Sequence, residues 1–462
     1  MSRCALHRSA GHARSCPHVR ARGTVLIVTI WVMLVLVGTV LVMARAMRVE
    51  GSGSANQVAA LQASAVQLGA VQYVVAALEG LAGRMPSEQE MPCEGVLVGE
   101  GAFWIIRPGE DDRQQGYGLV SEAGKVNLNA APAEMLADLP EMTAELAAAI
   151  VDWRDSDGEL TPGGAESEYY LLLPEPYECK NDLLETIEEV MLIAGASQEI
   201  LFGEDTSRNG VLDENENDGD QSDPSDDRNG NLDQGIYGFV TVYSIEANQA
   251  ASGQQRVNVN SSQMQQLSSL LLEAFGEARA LELMVLARRE RPFANVLDFY
   301  FRTSLTAEEF ESIADRITVS QSEDLRGLID LRAAPQEVLA CLGGLDASDV
   351  SALLAARPAA DAEPGSILWV AEALDQDKAI AVGSYITTRS YQFSADIVSV
   401  SGNGRAFKRC RIVVDASQSP PRVIYRQDLT HLGWPLPQEI LAQLRSGTAL
   451  EKVVAGEYQE IL

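Results

Sequence analysis

The stretch "RARGTVLIVTIWVMLVLVGTVLVMARAMRVE", residues 20–50, sets the organisation of the whole chain. It contains twenty consecutive residues without a charge, from Thr24 to Met43, with basic residues on both sides. An apolar helix of about twenty residues is long enough to cross a bilayer. Residues 1–23 contain five arginines and no acid, and the positive-inside rule places such a segment in the cytoplasm. The stretch therefore predicts a single-pass anchor at 24–44 with the body of the chain across the membrane.

Three interpretations of this anchor remain open. In the first, the stretch is a removable signal peptide, for which the "ARA" at 44–46 offers a cleavage site. A plain anchor would be retained whole. In the third interpretation, Arg22 and Gly23 directly before the apolar run resemble the leader of type IV prepilins, which ends in Gly and is cut on the cytoplasmic side. That resemblance implies that a prepilin peptidase cuts after Gly23, and that Thr24 becomes the first residue of a retained helix.

The fifth residue after that cut is Val28, where pilins normally carry Glu. The usual Glu is thought to neutralise the N-terminal amine of a neighbouring subunit inside an apolar helix bundle, where an unpaired charge is costly. A subunit with Val28 cannot offer that contact. The substitution therefore suits a place at the end of a fibre, where one neighbour is missing.

Composition narrows the class of protein. The chain has 462 residues, enough for two or three domains, and a formal net charge of −31. Nucleic-acid binding needs a basic face, so a nucleic-acid partner is disfavoured. The cysteines beyond the leader are far apart in sequence and form no metal-like pair. Disulfide pairing in an exported protein and buried free thiols both remain open for them: Cys93, Cys179, Cys341 and Cys410.

Patterns beyond the anchor predict an α+β fold. Apolar residues in 51–83 recur at helical spacing after a polar segment, Gly51–Asn56, that is predicted to separate this helix from the anchor. Short strands follow, so 45–123 is interpreted as a pilin-like helix with its first strands. Residues 386–430 return as strands around a Gly-Asn-Gly turn and complete an antiparallel sheet. The tail at 431–462 has no predicted place.

The intervening segment, 124–385, contains a repeat. Units beginning at Gly124, Gln255 and Arg326 each open with a short alternating strand and continue into an apolar-periodic helix. The first and third share the pattern A-A-P-x-E, and Pro suits the first turn of a helix. A mainly helical domain of helical-hairpin, SAM-like units is therefore predicted as an insertion in the sheet. Such units also occur in DNA-binding proteins, but the acidic charge disfavours that function.

The segment 127–182, "NLNAAPAEML…" to "…YECKND", resembles the minor pseudopilin K family of type II secretion, also called general secretion pathway protein K. The resemblance lies in the N-x-N-x-A, D-W-x-D-x-D and P-G-G-A-E-x-x-Y-Y patterns. The leader and Val28 extend it over most of 20–430, although three repeat units stand where two would be expected. It implies a subunit of the bacterial inner membrane, with a periplasmic body, that initiates and caps the pseudopilus with minor pseudopilins I and J.

The most specific chemical motif is a twelve-residue calcium loop from Asp205 to Glu216. Gly210 stands at the sharp turn of position 6 and Leu212 at the apolar position 8. The alternative is a disordered linker, because 204–235 contains eleven acids and two arginines. Calcium in the helical domain is also what the family resemblance implies. The predicted ligands are Asp205, Ser207, Asn209, the carbonyl of Val211, Asp213 and Glu216.

Two further acidic groups are weaker candidates. A degenerate loop at 225–235 offers Asp227, Asn229 and Asp233 but lacks the first Asp and the last Glu. The trio Asp152, Asp155 and Asp157 follows a helix and precedes a Gly, which favours turn capping over a metal contact.

Enzyme motifs are missing from the sequence. It has no G-x-S-x-G, H-E-x-x-H, phosphate loop or C-x-x-C, and His431 is the only histidine after the leader. The sequence therefore predicts a non-enzymatic assembly subunit. The alternative is a membrane-anchored or secreted calcium-binding adhesion module.

The mature N-terminus tests the anchor. We expect N-terminal sequencing and intact mass of the membrane-extracted protein to give a methylated Thr24, as prepilin processing requires. A start at Met47 would reduce the stretch to a signal peptide, and an uncut Met1 would leave a plain anchor and favour the adhesion alternative.

Overall fold

The computed structural model describes residues 24–109, 111–222 and 224–456. The predicted leader, including Gly23, lies outside them. The chain divides into two compact units, one ending at Val58 and the other spanning Ala59–Leu462. The strands are β1 (Val96–Val98), β2 (Gly101–Arg107), β3 (Gly116–Tyr117), β4 (Val120–Ser121), β5 (Val126–Asn127), β6 (Val240–Thr241), β7 (Ile245–Ala247), β8 (Val257–Asn258), β9 (Ile317–Thr318), β10 (Asp324–Arg326), β11 (Ile329–Asp330), β12 (Ile386–Thr387), β13 (Gln392–Ser401), β14 (Phe407–Asp415) and β15 (Arg422–Asp428). The α-helices are α1 (Thr24–Ala77), α2 (Ala133–Ala137), α3 (Ala144–Arg154), α4 (Ser167–Tyr170), α5 (Gln198–Phe202), α6 (Gln265–Glu290), α7 (Val296–Arg302), α8 (Ala307–Ile313), α9 (Gln336–Ala340), α10 (Ala347–Ala356), α11 (Leu368–Ala373), α12 (Gln376–Val382), α13 (Gln438–Ser446) and α14 (Leu450–Val454).

Helix α1 begins at Thr24 and runs without a break through the apolar stretch. Within the described residues it is the one helix long and apolar enough to cross a membrane, and its apolar window is fully exposed. The predicted separation at Gly51–Asn56 is wrong, because the helix continues through it. Glycine costs about 1 kcal/mol in a helix relative to alanine, and long helical segments on both sides of 51–56 outweigh that cost.

A seven-stranded sheet in the second unit has the order β1-β2-β13-β14-β15, with β3 paired to β2 and β4 paired to β13. All these pairings are antiparallel, as predicted. The predicted hairpin is β13–β14, which turns through Gly402, Asn403 and Gly404. Since β2 pairs with β13, the chain between β4 and β13 is an insertion in the sheet. The α+β class predicted from the sequence is confirmed.

One face of this sheet packs against the second half of α1. The contact residues on α1 repeat at helical spacing, and those on the strands alternate, so each element presents one apolar face. The buried cluster of this layer includes Val66, Ala70, Val71, Val74 and Leu78 of α1 and Phe103, Ile105, Phe393, Ile397 and Ile412 of the strands.

The opposite face is covered by the C-terminal segment that the sequence left without a place. The buried side chains of α13 and α14 pack on β2 and β13, and Trp434 meets the rings of Trp104 and Phe407 edge-on. The sheet is apolar on both faces in this region, so both faces must be shielded from water by packed side chains. The tail residues in this layer are Leu436, Ile440, Leu441, Leu444 and Val453.

The inserted segment contains three parallel strand pairs, β5–β6, β8–β9 and β11–β12. Each of the three predicted repeat units supplies the first strand of one pair. The first strand ends in Asn127, Asn258 or Asp330, whose Oδ1 accepts the N–H two residues later at 2.8, 2.7 and 3.1 Å. This turn directs the chain from strand to helix in every unit.

The second Asn of the N-x-N pattern clamps a distant backbone. Asn129 exchanges two hydrogen bonds with Leu184, at 2.8 and 2.9 Å. Asn260 does the same with Phe293, at 2.8 and 2.9 Å. The third unit has Arg332 at this position, buried with Asp330 and donating to carbonyls of other segments. The N-x-N pattern therefore serves the fold of the insertion.

The four cysteines of the described chain are free thiols. Burial raises the pKa of Cys93 to about 11 and the pKa values of Cys341 and Cys410 to about 12. Of the two possibilities left open by the sequence, the structure therefore has unpaired, largely buried thiols.

Candidate metal centre

The acidic loop predicted to bind calcium begins three residues after α5. Asp205 organises its first half, since Oδ1 accepts the N–H of Asn209 at 3.0 Å and Oδ2 accepts the N–H of Gly210 at 2.9 Å. Gly210 has φ +71°, and a Cβ there would lie 2.8 Å from the Cα of Pro108. Both the left-handed turn and the close approach require glycine. The Gly of position 6 therefore has the role that the motif predicts.

The second half of the loop folds back through Glu216. Its Oε1 accepts the N–H of Ser207 at 3.3 Å, and its Oε2 accepts the N–H of Asp213 at 3.1 Å. Asn209 Nδ2 donates to Asp213 Oδ2 at 3.2 Å. The predicted side-chain ligands therefore surround one small region. The backbone N–H of Val211, whose carbonyl is the sixth predicted ligand, donates to Asn209 Oδ1 at 2.6 Å.

Two carboxylates of this loop are buried. Asp205 is 7% exposed and Glu216 only 1%. Burial, reinforced by the charges of Asp205 and Asp213, raises the pKa of Glu216 to about 7. Burial also raises the pKa values of Asp205 and Asp213. Buried carboxylates that repel one another are stabilised by a cation, and carboxylate, amide and hydroxyl oxygens are the ligands that calcium prefers. The residue types in this loop are therefore those that calcium binds.

Arg409 of β14 anchors the loop to the sheet, and the sequence analysis missed it. Its side chain is fully buried and donates to the carbonyls of Ser207 and Arg208, at 2.6 Å each. The same guanidinium forms a 2.6 Å ion pair with Asp396 of β13. About two hundred residues separate Arg409 from the loop, and no local pattern signals such a contact.

Two further segments contact the loop. In the β2–β3 connection, Asp112 accepts the N–H of Leu212 through its carbonyl at 2.7 Å, and Gln115 donates to the carbonyl of Asn209 at 3.2 Å. From the tail, the carbonyl of Pro435 accepts Asn209 Nδ2 at 3.3 Å. The loop is thus an ordered element, in contrast to the disordered linker considered from composition.

The second acidic loop makes mostly local turns. Asp227 accepts the N–H of Asn229 at 2.9 Å, and Asp233 accepts the N–H of Gly235 at 2.9 Å. All three predicted ligands of this loop are exposed. Across residues 24–109, 111–222 and 224–456, no group of three or more Asp, Glu, His or Cys side chains is placed to hold a metal ion. Calcium binding in either loop stays a prediction, and the first loop would also need its amide, hydroxyl and carbonyl oxygens.

Of the predicted processing residues, Thr24 and Val28 lie in the first turns of α1. Val28 is exposed, like its apolar neighbours. Prepilin cleavage and methylation stay predictions.

Comparison with known proteins gives one family. Residues 122–202 match the family model described as "Type II secretion system (T2SS), protein K". This segment runs from the turn before β5 to the end of α5. It contains the motifs from which the resemblance was predicted, and the match confirms that prediction. Residues 122–202 are therefore similar to protein K of the type II secretion system.

Searches of curated proteins and of solved structures add no further evidence of family. No curated protein matches the chain. A search of solved structures found similarity to a chain of "The Crystal Structure of the GspK-GspI-GspJ complex from enterotoxigenic Escherichia coli Type 2 Secretion System", at 10% identity and a TM-score of 0.40, covering 83% of this chain and 98% of that chain. At that TM-score the likeness supports no inference about function or assembly.

The raised pKa of Glu216 predicts a pH dependence of stability in the metal-free protein. Between its ordinary pKa of 4.5 and the folded value of about 7, the folded chain holds a proton that the unfolded chain has released. Stability should therefore fall as pH rises through this window. We expect the melting temperature in chelator to decrease from pH 5.5 to pH 8. Glu216→Gln should flatten this slope, whereas Glu214→Gln, at an exposed position, should keep it. An unchanged slope in Glu216→Gln would contradict the prediction.

Proposed function

We propose that this chain is a minor pseudopilin at the tip of the type II secretion pseudopilus, where it initiates and caps the fibre together with minor pseudopilins I and J. The observation that carries the proposal is the insertion of a large helical domain, with its protein K segment, into a sheet that packs on a long N-terminal helix. The partners follow from the family.

The N-terminal helix supplies the membrane part of the mechanism. Its apolar stretch is long enough to span the inner membrane. The basic residues before Thr24 would hold the preceding segment in the cytoplasm, so the rest of the chain would lie in the periplasm. Cleavage by prepilin peptidase would make Thr24 the first residue of α1. The shortened helix would then pack against the helices of other subunits. Since Val28 brings no carboxylate to neutralise a neighbour's amine, the chain fits the end position of the fibre.

The inserted domain supplies the cap. Nearly all of the chain between β4 and β13 belongs to it, so it greatly enlarges a pilin-like body made only of α1 and the sheet. A subunit that already carries this bulk leaves no room for a further subunit above it. Growth by insertion at the membrane would then continue only from below.

The loop from Asp205 to Glu216 supplies the proposed calcium site. Asp205, Asp213 and Glu216 would provide carboxylate oxygens, and Ser207, Asn209 and the Val211 carbonyl would provide neutral ones. A bound cation would offset the burial and the repulsion that raise the pKa of Glu216, and would stabilise the loop in its contact with Arg409. An affinity of roughly 10⁻⁴–10⁻³ M is sufficient for such a site outside the cytoplasm.

Gene deletion tests the assembly role. A strain lacking this chain should lose pseudopilus assembly and type II secretion, and the full chain should restore both. Glu100→Gln, an exposed change away from the loop, serves as the matched complementing control. Normal secretion and normal pseudopili in the deletion strain would contradict the proposal. Purification of the complementing chain should bring down minor pseudopilins I and J.

Calorimetry tests the calcium loop independently. Calcium added to the metal-free full chain should release binding heat and raise the melting temperature. Glu216→Gln should lose both effects of the loop, because it removes the carboxylate able to bind with both oxygens, while Glu214→Gln should behave as wild type. Equal heat and equal thermal shift in the two variants would refute the assignment of Glu216 as a ligand.

A further inference from the structure

A cavity of about 480 Å³ in the inserted segment is lined by residues of the second and third repeat units. Its volume lies within the range of pockets that hold ligands. Its rim includes Ala294, Gly365 and Ser384, which are exposed, so the cavity opens to solvent. A Cβ at Gly365 would meet no atom within 4 Å. The cavity is therefore accessible to a ligand from outside.

Strand β9 lines this cavity with an unpaired edge. It pairs with β8 on one side only. The carbonyl of Thr318 accepts the N–H of Val259, beside β8, at 2.9 Å. In a trans peptide the N–H points opposite to the preceding carbonyl. The N–H of Val319, which also lines the cavity, therefore points away from β8.

Strand β12 lines the same cavity with a second unpaired edge, since it pairs only with β11. The carbonyls of Tyr385 and Thr387 accept N–H groups of β11 and of the residue that follows it, at 2.7 and 3.3 Å. By the same peptide geometry, the N–H groups of Ile386 and Thr388 point away from β11. Both residues line the cavity.

These three N–H groups are donors without a backbone acceptor among the described residues. Those of Ile386 and Thr388 lie two residues apart along one strand, which in an extended chain is about 6.6 Å. The carbonyls on one edge of an extended peptide repeat at the same distance. The spacing therefore matches a strand better than a single compact anion, which would need donors that converge on one point.

The charges that line the cavity leave none for an ionised ligand. Arg256 pairs with Glu246 at 2.7 Å, and Arg389 pairs with Asp315 at 2.6 Å. The remaining charged residue of the lining, Glu311, is exposed. What the cavity offers beyond its paired charges is the two strand edges and an apolar wall. The wall contains Val296, Phe310, Leu325, Leu328 and Ile367.

We propose that this cavity binds an extended, uncharged and partly apolar segment of another protein, which adds as a strand to the free edges of β9 and β12. Its carbonyls accept the N–H groups of Val319, Ile386 and Thr388, and its apolar side chains pack on the wall. Main-chain hydrogen bonds give affinity in such strand addition, and side-chain pockets give specificity. The site goes beyond the proposed function, and its test is independent of type II secretion.

Peptide binding to the purified full chain tests this site. The probe is a fluorescein-labelled heptapeptide of alternating valine and threonine, blocked at both ends, and the measurement is fluorescence anisotropy. We expect a saturable rise with this peptide. A peptide of the same sequence with every amide N-methylated cannot pair as a strand and should not bind. Equal binding of the two peptides, or no saturable rise with the first, would overturn the proposal.

Variants of the cavity locate the peptide. Val319→Pro removes one N–H that β9 does not use for pairing, and proline is tolerated on the free side of an edge strand. It should weaken binding about tenfold, as expected for one lost hydrogen bond. Val319→Ala keeps the N–H and is the matched control.

Gly365→Trp gives a second measurement that leaves the strand edges unchanged. Its side chain has space at the rim and should obstruct the cavity, so peptide binding should fall while the fold is kept. Circular dichroism checks that each variant is folded. Wild-type affinity in both folded variants, Val319→Pro and Gly365→Trp, would refute this location for the peptide.

Discussion

The fully buried guanidinium of Arg409 is the contact on which the candidate site depends. It pairs with Asp396 on the neighbouring strand and donates to the carbonyls of Ser207 and Arg208 in the loop. A charge buried this deeply is tolerated only when its donors are satisfied, and removal of one partner of a buried pair costs about 3–5 kcal/mol. The contact therefore fixes the inserted domain on the sheet at one position. The same position brings the loop against the β2–β3 connection and the tail.

Strand alternation explains why so many segments meet there. On β13 and β14, Ile397 and Ile412 point to α1, while Asp396 and Arg409 point to the other face. That second face is apolar where the tail helices cover it and charged where the insertion docks. One sheet therefore carries an apolar layer for the long helix and a divided surface for tail and insertion. The division lies within single strands, since Val398 and Asp396 are two residues apart.

Local patterns were predictable, and long-range contacts were not. The hairpin β13–β14, the helix after the anchor and the strand-to-helix turns follow from periodicity, Gly positions and Asn side chains that bond to their own backbone. The loop register was readable because Gly210 must adopt a left-handed turn. The position of the tail could not be predicted, because its apolar face packs against residues that are distant in sequence. Trp104 lies more than three hundred residues before the tail, and Val398 lies about forty residues before it. The sequence predicted turn capping by Asp152, but the burial of this side chain depends on long-range packing and was not predicted.

Some carboxylates of this acidic chain are buried in the candidate site and do not face solvent. A protein with a charge of −31 that merely needed solubility would keep its carboxylates in water. Here Asp205 and Glu216 are buried, and their oxygens accept backbone N–H groups in the turns of their own loop. Such turns form without metal, because each oxygen used for capping gains a hydrogen bond, and the repulsion that remains is what a divalent cation removes. Cation binding would thus stiffen connections that already have their shape, at the junction of helices and sheet. That junction is where the inserted domain, the sheet and the tail meet, so stiffness there would hold the three together.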